Sequence, residues 1–595
     1  MSATTATGAR SDTEAQLEAL ELGIELGILP FQRHEQHGFV PLTSARLRQE
    51  LPQRDQGTAT ISFWYPRSRD GDNSRSSGVR DDIESGALYA GPILDLFKRR
   101  RIGLLLNYAA LGYVDGMLPM TLRTLYSALD AARFDAFLMI VSLCRVFAAL
   151  CSDLAPTRKY RRRPFFIVGW AIVLAVFAVL TGVEGDGATP TRSDVAASSH
   201  WIYLLALVPI GHVLAAATSD GLLVEYAQRE GEDERGCIQM LLVATRIVGT
   251  LLGRSTVPIR TADCDDRGHG SACPGSFAVV FALGAFVALT ALLSSVWAVD
   301  VPYRLVVATT HNPLIKDVPR IRDVGRFASS RVLWQFAAFT TIQAATFAWM
   351  APSPHELATH VLGLGDMTRW ISDGAMLSSQ LVCAVLVLAS RRVLRWRVVT
   401  AASVVLGSLV ASLVGTVLLL QGSTTSLAVF LTSHHVGVVF TTIARLVSLL
   451  AVVELARPGI EATSYAILTV LGEVGAELGV AVADKARSSW SQPLGKSSND
   501  FAVALAVVLL VARVVVNLVL LPLLPPSKAA LRGLRDRLRR DPQPPSCAST
   551  VVGRVVLLVL SVAWVGAIAR NVMHLVTPRD GDGVVSTVMS VAYLY

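Results

Sequence analysis

Thirteen apolar stretches, each close to the length of one membrane-spanning helix, constrain this chain more than any other feature. A helix needs about 20 apolar residues to cross a bilayer. Six stretches lie before a charged connector and six after it, and one more follows a basic segment. They are Ile102–Leu122, Phe134–Cys151, Pro164–Gly182, Trp201–Leu223, Gly236–Gly253, Ser276–Val299, Val332–Met350, Ile371–Ser390, Val398–Leu420, Leu427–Val453, Thr463–Ala483, Phe501–Leu524 and Val551–Ile568.

The composition agrees with a membrane protein and excludes a soluble one. Hydrophobic residues make up 52% of the chain and charged residues only 17%, whereas soluble domains carry about 25% charge. The net charge of +8 comes from short Lys/Arg clusters between the apolar stretches, as at Arg158–Arg163 and Arg391–Arg397. Clusters in loops are typical of topology signals rather than of a nucleic-acid surface. The predicted partners are therefore the lipid bilayer and a small molecule, with no nucleic acid.

The charge distribution also predicts orientation and domain organisation. With the N-terminus in the cytoplasm, most Lys and Arg residues fall in inside loops, as the positive-inside rule requires. We therefore expect a multi-pass protein of the plasma membrane with a cytoplasmic N-terminus. The predicted parts are a disordered arm at 1–98, a first six-helix half at 99–299, a cytoplasmic connector at 300–331, a second half at 332–525, a basic cytoplasmic tail at 526–550, and an extra helix with the C-terminus at 551–595.

The loop SDLAPTRKYRRRPF, between the second and third stretches, carries the strongest local signal. Asp153 ends one helix, and the cations Arg161, Arg162 and Arg163 begin the next. Such an arrangement predicts a gating latch, in which the carboxylate pairs with a cation in one access state and releases it in the other. The alternative is a plain topology anchor, for which the cations alone suffice.

Three segments resemble the folate–biopterin transporter family of the major facilitator superfamily. They are RVFAALCSDLAPTRKYRRRPFFIVGW, TSDGLLVEYAQREGEDERGCIQ and ARPGIEATSYAIL, in the family's order and spacing. The resemblance covers roughly residues 104–524, and its most specific segment is the last. It implies an all-α major-facilitator-like fold and a folate- or pterin-like substrate.

Charged residues within the apolar stretches of the first half are candidates for substrate binding, because an ion at bilayer depth must face a partner or a cavity. They are Asp115, Arg145, Asp220 and Arg246. We expect them to form buried pairs, with Asp220 and Arg246 as the preferred pair. The alternative for each residue is a purely structural salt bridge.

The second half offers Arg445 as a further substrate-binding candidate and two carboxylates as a proton-coupling site. Glu473 and Glu477 are four residues apart and so share one helix face. Two close carboxylates favour proton uptake, although a polar patch without a proton role is the alternative. Glu461 begins a helix at the predicted cytoplasmic side, where it either caps the helix or takes part in gating.

Other motifs are few. Cys264 and Cys273 share one predicted outside loop, where they either form a disulfide or remain two thiols. We find no H-E-x-x-H, no G-x-S-x-G and no metal-ligand cluster. The sequence therefore predicts no enzyme, no cofactor and no metal.

Together these features predict an all-α protein of two six-helix halves plus an extra C-terminal helix. The predicted function is secondary active transport of folate, biopterin or a related metabolite by alternating access, with proton symport suggested by the buried acids. The alternatives are a transporter of an unrelated solute, and a receptor or scaffold that keeps the fold without transporting.

Overall fold

The computed structural model describes residue 88 and residues 102–125, 128–154, 162–185, 199–261, 276–298, 321–328, 330–348, 366–392, 394–408, 427–457, 459–490, 498–531 and 547–576. Throughout these ranges the chain is helical, with no strand. The helices of the first half are α1 (Ile102–Leu125), α2 (Ala128–Leu143), α3 (Arg145–Leu154), α4 (Arg163–Gly185), α5 (Ser199–Ala227), α6 (Cys237–Thr261) and α7 (Ser276–Ala298). A short helix, α8 (Ile321–Ala328), lies in the predicted connector.

The described part of the second half contributes six helices. Its helices are α9 (Arg331–Ala348), α10 (Asp366–Ser390), α11 (Trp396–Val405), α12 (Leu427–Leu455), α13 (Glu461–Trp490) and α14 (Ser498–Leu520), and the extra helix is α15 (Cys547–Val576). Each predicted apolar stretch coincides with a helix, and the ninth is described as far as residue 408. The second stretch is one span made of α2 and α3, broken by a turn at Cys144.

Length and hydropathy identify eight of the described helices as candidate membrane spans, and three shorter apolar helices accompany them. The first helix of each half, α1 and α9, falls outside both groups because it carries more polar residues. Burial separates the central helices from the peripheral ones. In the spanning part of α5, 78% of residues are buried, against 17% in α15, so α5 is central and α15 lies largely against lipid.

Two glycine contacts pack corresponding helices of the two halves closely. In the first half, a Cβ at Gly112 of α1 would lie 1.9 Å from the carbonyl oxygen of Arg246 on α6. In the second half, a Cβ at Gly475 of α13 would lie 2.0 Å from the carbonyl oxygen of Thr341 on α9. Glycine at the contact is the usual means by which membrane helices bring their backbones together.

Replacing Gly112 by alanine is expected to destabilise the protein by about 1–3 kcal/mol, because the new methyl group overlaps the backbone of α6. Gly182 on α4 is the matched control, because nothing lies within 4 Å of a Cβ added there. Thermal unfolding of the two purified variants in detergent measures the difference. Equal unfolding temperatures for Gly112→Ala and Gly182→Ala would show that this contact does not hold α1 and α6 together.

Candidate functional site

A small cavity lies between the two halves and is lined by residues from both. It measures about 30 Å³, room for about one water molecule, whereas drug-sized ligands need about 300–1,000 Å³. The pocket is therefore too small to hold such a ligand in this structure. Its lining residues are Tyr108, Asp220, Leu223, Val243, Arg246, Ile247, Thr250, Leu377, Gln380 and Tyr465.

Asp220 on α5 is the carboxylate of this cavity. Its side chain accepts a hydrogen bond of 2.9 Å from the hydroxyl of Tyr108 on α1. The residue is 3% exposed, and its Oδ2 has no hydrogen-bond partner. A buried carboxylate with one unsatisfied oxygen is costly, so this atom is available to a donor that enters the cavity.

The cation of the cavity, Arg246 on α6, is held by a different carboxylate. Arg246 Nε lies 2.8 Å from Oδ2 of Asp115 on α1, and His212 Nε2 lies 3.3 Å from the other oxygen of Asp115. The predicted pairing of Arg246 with Asp220 is therefore wrong. The close packing of α1 against α6 brings Asp115 to the guanidinium, while Asp220 is bound by the hydroxyl of Tyr108.

Arg145 and Glu473 form an ion pair between the two halves. Arg145 Nη2 lies 3.5 Å from Glu473 Oε1, and the hydroxyl of Ser142 donates a hydrogen bond of 2.7 Å to Glu473 Oε2. Glu473 is fully buried. Arg145 also lies within electrostatic range of Asp220. This pair thus connects α3 and α13 close to the cavity.

Glu477, one turn further along α13, contacts the extra helix instead. Its Oε2 lies 3.4 Å from Arg570 Nη1 and 3.3 Å from Asn571 Nδ2, both on α15. The two carboxylates therefore have separate cationic partners on different helices. Their predicted role as one proton-coupling site stays a prediction.

The cation–carboxylate contacts of the predicted latch are present, and Arg162 is at their centre, while their role in gating stays a prediction. Arg162 lies 2.8 Å from Glu461 Oε2, 2.8 Å from Glu225 Oε2 and 3.5 Å from Asp153 Oδ1. Asp153 also accepts hydrogen bonds of 2.8 and 2.9 Å from the backbone and hydroxyl of Thr463. Because Glu461 and Thr463 begin α13, these contacts join the first half to the second.

The remaining gating candidates have varied outcomes. Glu461 accepts a hydrogen bond of 2.7 Å from the Gly459 N–H and also binds Arg162. Arg163 begins α4. The gating roles of both residues stay predictions. Arg161 lies outside the described residues, as do Cys264 and Cys273, and their predictions stay untested.

A second set of contacts closes the same end of the bundle and was missed from the sequence. Arg235 lies 2.8 Å from Glu454 at the end of α12. Gln228 donates hydrogen bonds of 3.1 and 2.8 Å to the carbonyl oxygens of Val453 and Ala456. The segment 218–239 that carries the family resemblance contains both Arg235 and Gln228, so it was the available signal. With the latch, these contacts seal the predicted cytoplasmic end.

Arg445 does not line the cavity. Its guanidinium carbon lies 5.9 Å from the centre of the Phe347 ring, within the second half. The prediction that Arg445 converges with Asp220 and Arg246 is therefore not supported by the geometry. Hydropathy places an arginine on a helix, but only the packing of that helix decides which neighbour the side chain meets.

Glu230, in the turn between α5 and α6, is a buried carboxyl outside the membrane-spanning segments. It accepts hydrogen bonds from the N–H groups of Gly236 (2.8 Å) and Ile238 (2.9 Å). Gly236 has φ of 100°, a conformation that favours glycine. Burial raises the pKa of Glu230 to about 8, although the two N–H groups and the nearby Lys528 and Arg391 oppose the rise.

The stability of the protein is expected to depend on pH through Glu230. Since its folded pKa lies above the ordinary 4.5, the folded state keeps a proton that the unfolded chain releases, and stability falls as pH rises between about 5 and 8. In Glu230→Gln this fall should shrink. Thermal unfolding across that pH range tests the expectation, and an identical pH dependence in the variant would refute it.

Comparison with known proteins identifies the fold. No protein-family model matches the sequence, and no curated protein is detectably similar to it. Among solved structures, a bacterial homologue of the iron transporter ferroportin in the outward-facing state aligns with a TM-score of 0.50 at 12% identity, over 72% of this chain and 99% of that one. The chain has a major-facilitator-like fold.

A second structure with this major-facilitator-like fold is the proton:xylose symporter XylE. It aligns with a TM-score of 0.48 at 15% identity, over 70% of this chain and 93% of that one. The eight candidate spans make this chain a multi-pass membrane protein. None of these comparisons identifies the folate–biopterin transporter family, so membership of that family stays a prediction.

Proposed function

We propose that this protein is a secondary active transporter that moves folate, biopterin or a related small metabolite by alternating access, coupled to protons. The observation that carries the proposal is the closed cavity between the two halves, lined by Asp220, Arg246, Tyr108 and Tyr465. Transporters of this architecture bind solute at the interface of their repeats near the middle of the membrane. Polar groups buried there without a structural need are expected to be functional.

The contacts at the predicted cytoplasmic end support alternating access. Arg162, Gln228 and Arg235 belong to the first half and bind Glu461, the end of α12 and Glu454 in the second. Such contacts are polar and directional, so they can break as a unit when the halves separate. Opening this end and closing the other would enlarge the cavity and expose it to the cytoplasm.

The chemistry of the cavity suits a planar, polar solute with hydrogen-bond donors. The unpartnered Oδ2 of Asp220 accepts from ring N–H or amino groups, and the tyrosine rings offer aromatic surfaces. Arg246 provides a cation for an acidic group, once its bond with Asp115 is exchanged. A pterin has this combination of groups, and the family resemblance points to the same class.

Proton coupling is best assigned to Asp220 and Glu473. Glu473 is paired with Arg145 of the opposite half, so the pair is strained or broken whenever the halves move apart. A buried carboxylate separated from its cation is costly, and binding a proton removes the charge. Glu477 is a weaker candidate because its partner, Arg570, is on α15 rather than on the opposite half.

Uptake of radiolabelled folate and biopterin, in cells that lack their own carrier and across a pH series, tests the proposal. We expect saturable uptake that increases at acidic external pH, and we expect Glu473→Gln to lose this pH dependence. Arg554→Gln is the control, because Arg554 is exposed on α15 and remote from the cavity. Uptake of neither compound above the level of untransfected cells would refute the substrate assignment.

A further inference from the structure

Two buried arginines of the second half face one aromatic ring, away from the central cavity. The guanidinium carbon of Arg513 on α14 lies 4.3 Å from the centre of the Phe347 ring, and that of Arg445 on α12 lies 5.9 Å from it. Both distances are within the range of cation–π attraction. The ring therefore holds two like charges together, in a low-dielectric environment where they repel each other.

Arg513 differs from three other buried arginines in having no carboxylate partner. Arg162, Arg235 and Arg246 each lie 2.8 Å from a carboxylate oxygen. Arg513 is 2% exposed, and in the part of the chain that the structure describes it forms no ion pair. Its Nε and Nη2 have no hydrogen-bond partner. A buried guanidinium in this condition needs an anion to satisfy it.

The neighbouring side chains add a second donor without an acceptor. Gln343 lies one turn before Phe347 on α9 and is 1% exposed. The hydroxyl of Ser448 donates to Gln343 Oε1 at 3.1 Å, and this contact fixes the amide so that Nε2 is left without a partner. On α14, Asn517 donates to Thr346 at 2.7 Å. The unsatisfied groups at Arg513 and Gln343 are thus hydrogen-bond donors.

We propose that Arg513, with Arg445 and Gln343 nearby, forms an anion-binding site separate from the central cavity. The ligand is a small anion with at least two oxygens, a carboxylate or phosphate group, because such a group can accept from Nε and Nη2 of one guanidinium together. Its source is either a free anion or the acidic group of a transported solute. The site itself does not depend on which solute the protein transports.

Anion-dependent stability of the purified full-length protein tests this site. Phosphate and glutarate are titrated from zero at constant ionic strength, and the unfolding temperature is followed in detergent. We expect a saturable rise in the wild type, as for any ligand that binds only the folded state. We expect no saturable rise in Arg513→Gln, and an unchanged rise in Arg554→Gln. A saturable rise of equal size in Arg513→Gln would overturn the proposal, as would its absence in the wild type.

A second variant keeps the test decisive if Arg513→Gln does not fold. Arg513→Lys retains the charge but loses the two-pronged geometry, so the anion concentration for half-maximal effect should rise about tenfold or more. An unchanged half-maximal concentration in Arg513→Lys would also contradict the proposal.

Folate uptake in the presence of phosphate distinguishes the two sources of the anion. Competition by phosphate, lost in Arg513→Gln, assigns the site to the acidic group of the solute. Uptake unaffected or increased by phosphate assigns it to a free anion. If folate is not transported at all, the proposed function fails while the thermal titration still decides whether the site exists.

Discussion

Asp220→Asn is expected to reduce solute uptake about 100-fold or more while the protein remains folded and reaches the membrane. The substitution removes the charge that faces the cavity but preserves the shape of the side chain. Hydrogen bonds to charged groups contribute about 1.5–3 kcal/mol each. In the variant, a solute bound through Oδ2 would lose this binding energy, and the protein would lose a site that can take up a proton. Uptake normalised to surface expression measures the effect.

Tyr108→Phe is the matched variant for this prediction. It removes the hydroxyl that donates to Asp220 at 2.9 Å but leaves the carboxylate and the aromatic ring. We expect a loss of about tenfold or more, because a hydrogen bond to a charged group contributes about 1.5–3 kcal/mol. If Asp220→Asn transports as well as the wild type at every pH, neither solute recognition nor proton coupling can reside at this carboxylate.

Arg162→Gln is expected to open the predicted cytoplasmic end. Glu461, Asp153 and Glu225 share this one cation, and removing one member of a buried ion pair costs about 3–5 kcal/mol. We expect this cost to fall on the closed state, because the predicted latch forms in that state and releases in the other. The equilibrium between closed and open states should therefore shift about 100-fold or more towards the open state.

Cysteine labelling measures this shift. Ala462 lies beside Arg162 and is 1% exposed, so a cysteine introduced there should react slowly with a maleimide in the wild-type background and much faster with Arg162→Gln. Arg229→Gln is the control, because the ion pair of Arg229 joins it to Glu225 within the first half. Equal labelling rates in all three backgrounds would show that Arg162 does not hold the end closed.

The sequence was sufficient to predict the helices but not their neighbours. Hydropathy locates each span because the bilayer imposes one length on every crossing helix. The latch was also predictable, since Asp153 and Arg162 are nine residues apart across one short loop. Glu461, almost 300 residues further on, could be assigned to the same site because the positive-inside rule put both on the same side.

Pairing within the membrane could not be predicted in the same way. Asp220 was the preferred partner for Arg246, but Arg246 pairs with Asp115, because a glycine contact brings α1 against α6. Likewise, Glu477 binds Arg570 because α15 packs beside α13, a position that hydropathy does not specify. Arg513 lies near the middle of the apolar stretch Phe501–Leu524, so it was a signal of the same kind as Arg246 and was missed.

Counterflow in liposomes that contain only the purified protein is the most direct test of solute transport by alternating access. Vesicles loaded with unlabelled folate are diluted into a trace of labelled folate, and accumulation of label is followed over time. If the protein is a carrier that opens to one side of the membrane at a time, labelled folate should accumulate transiently above its equilibrium level. Asp220→Asn should abolish this accumulation. Label that never exceeds the level in protein-free vesicles, with folate and biopterin alike, would contradict the account and favour a receptor with this fold.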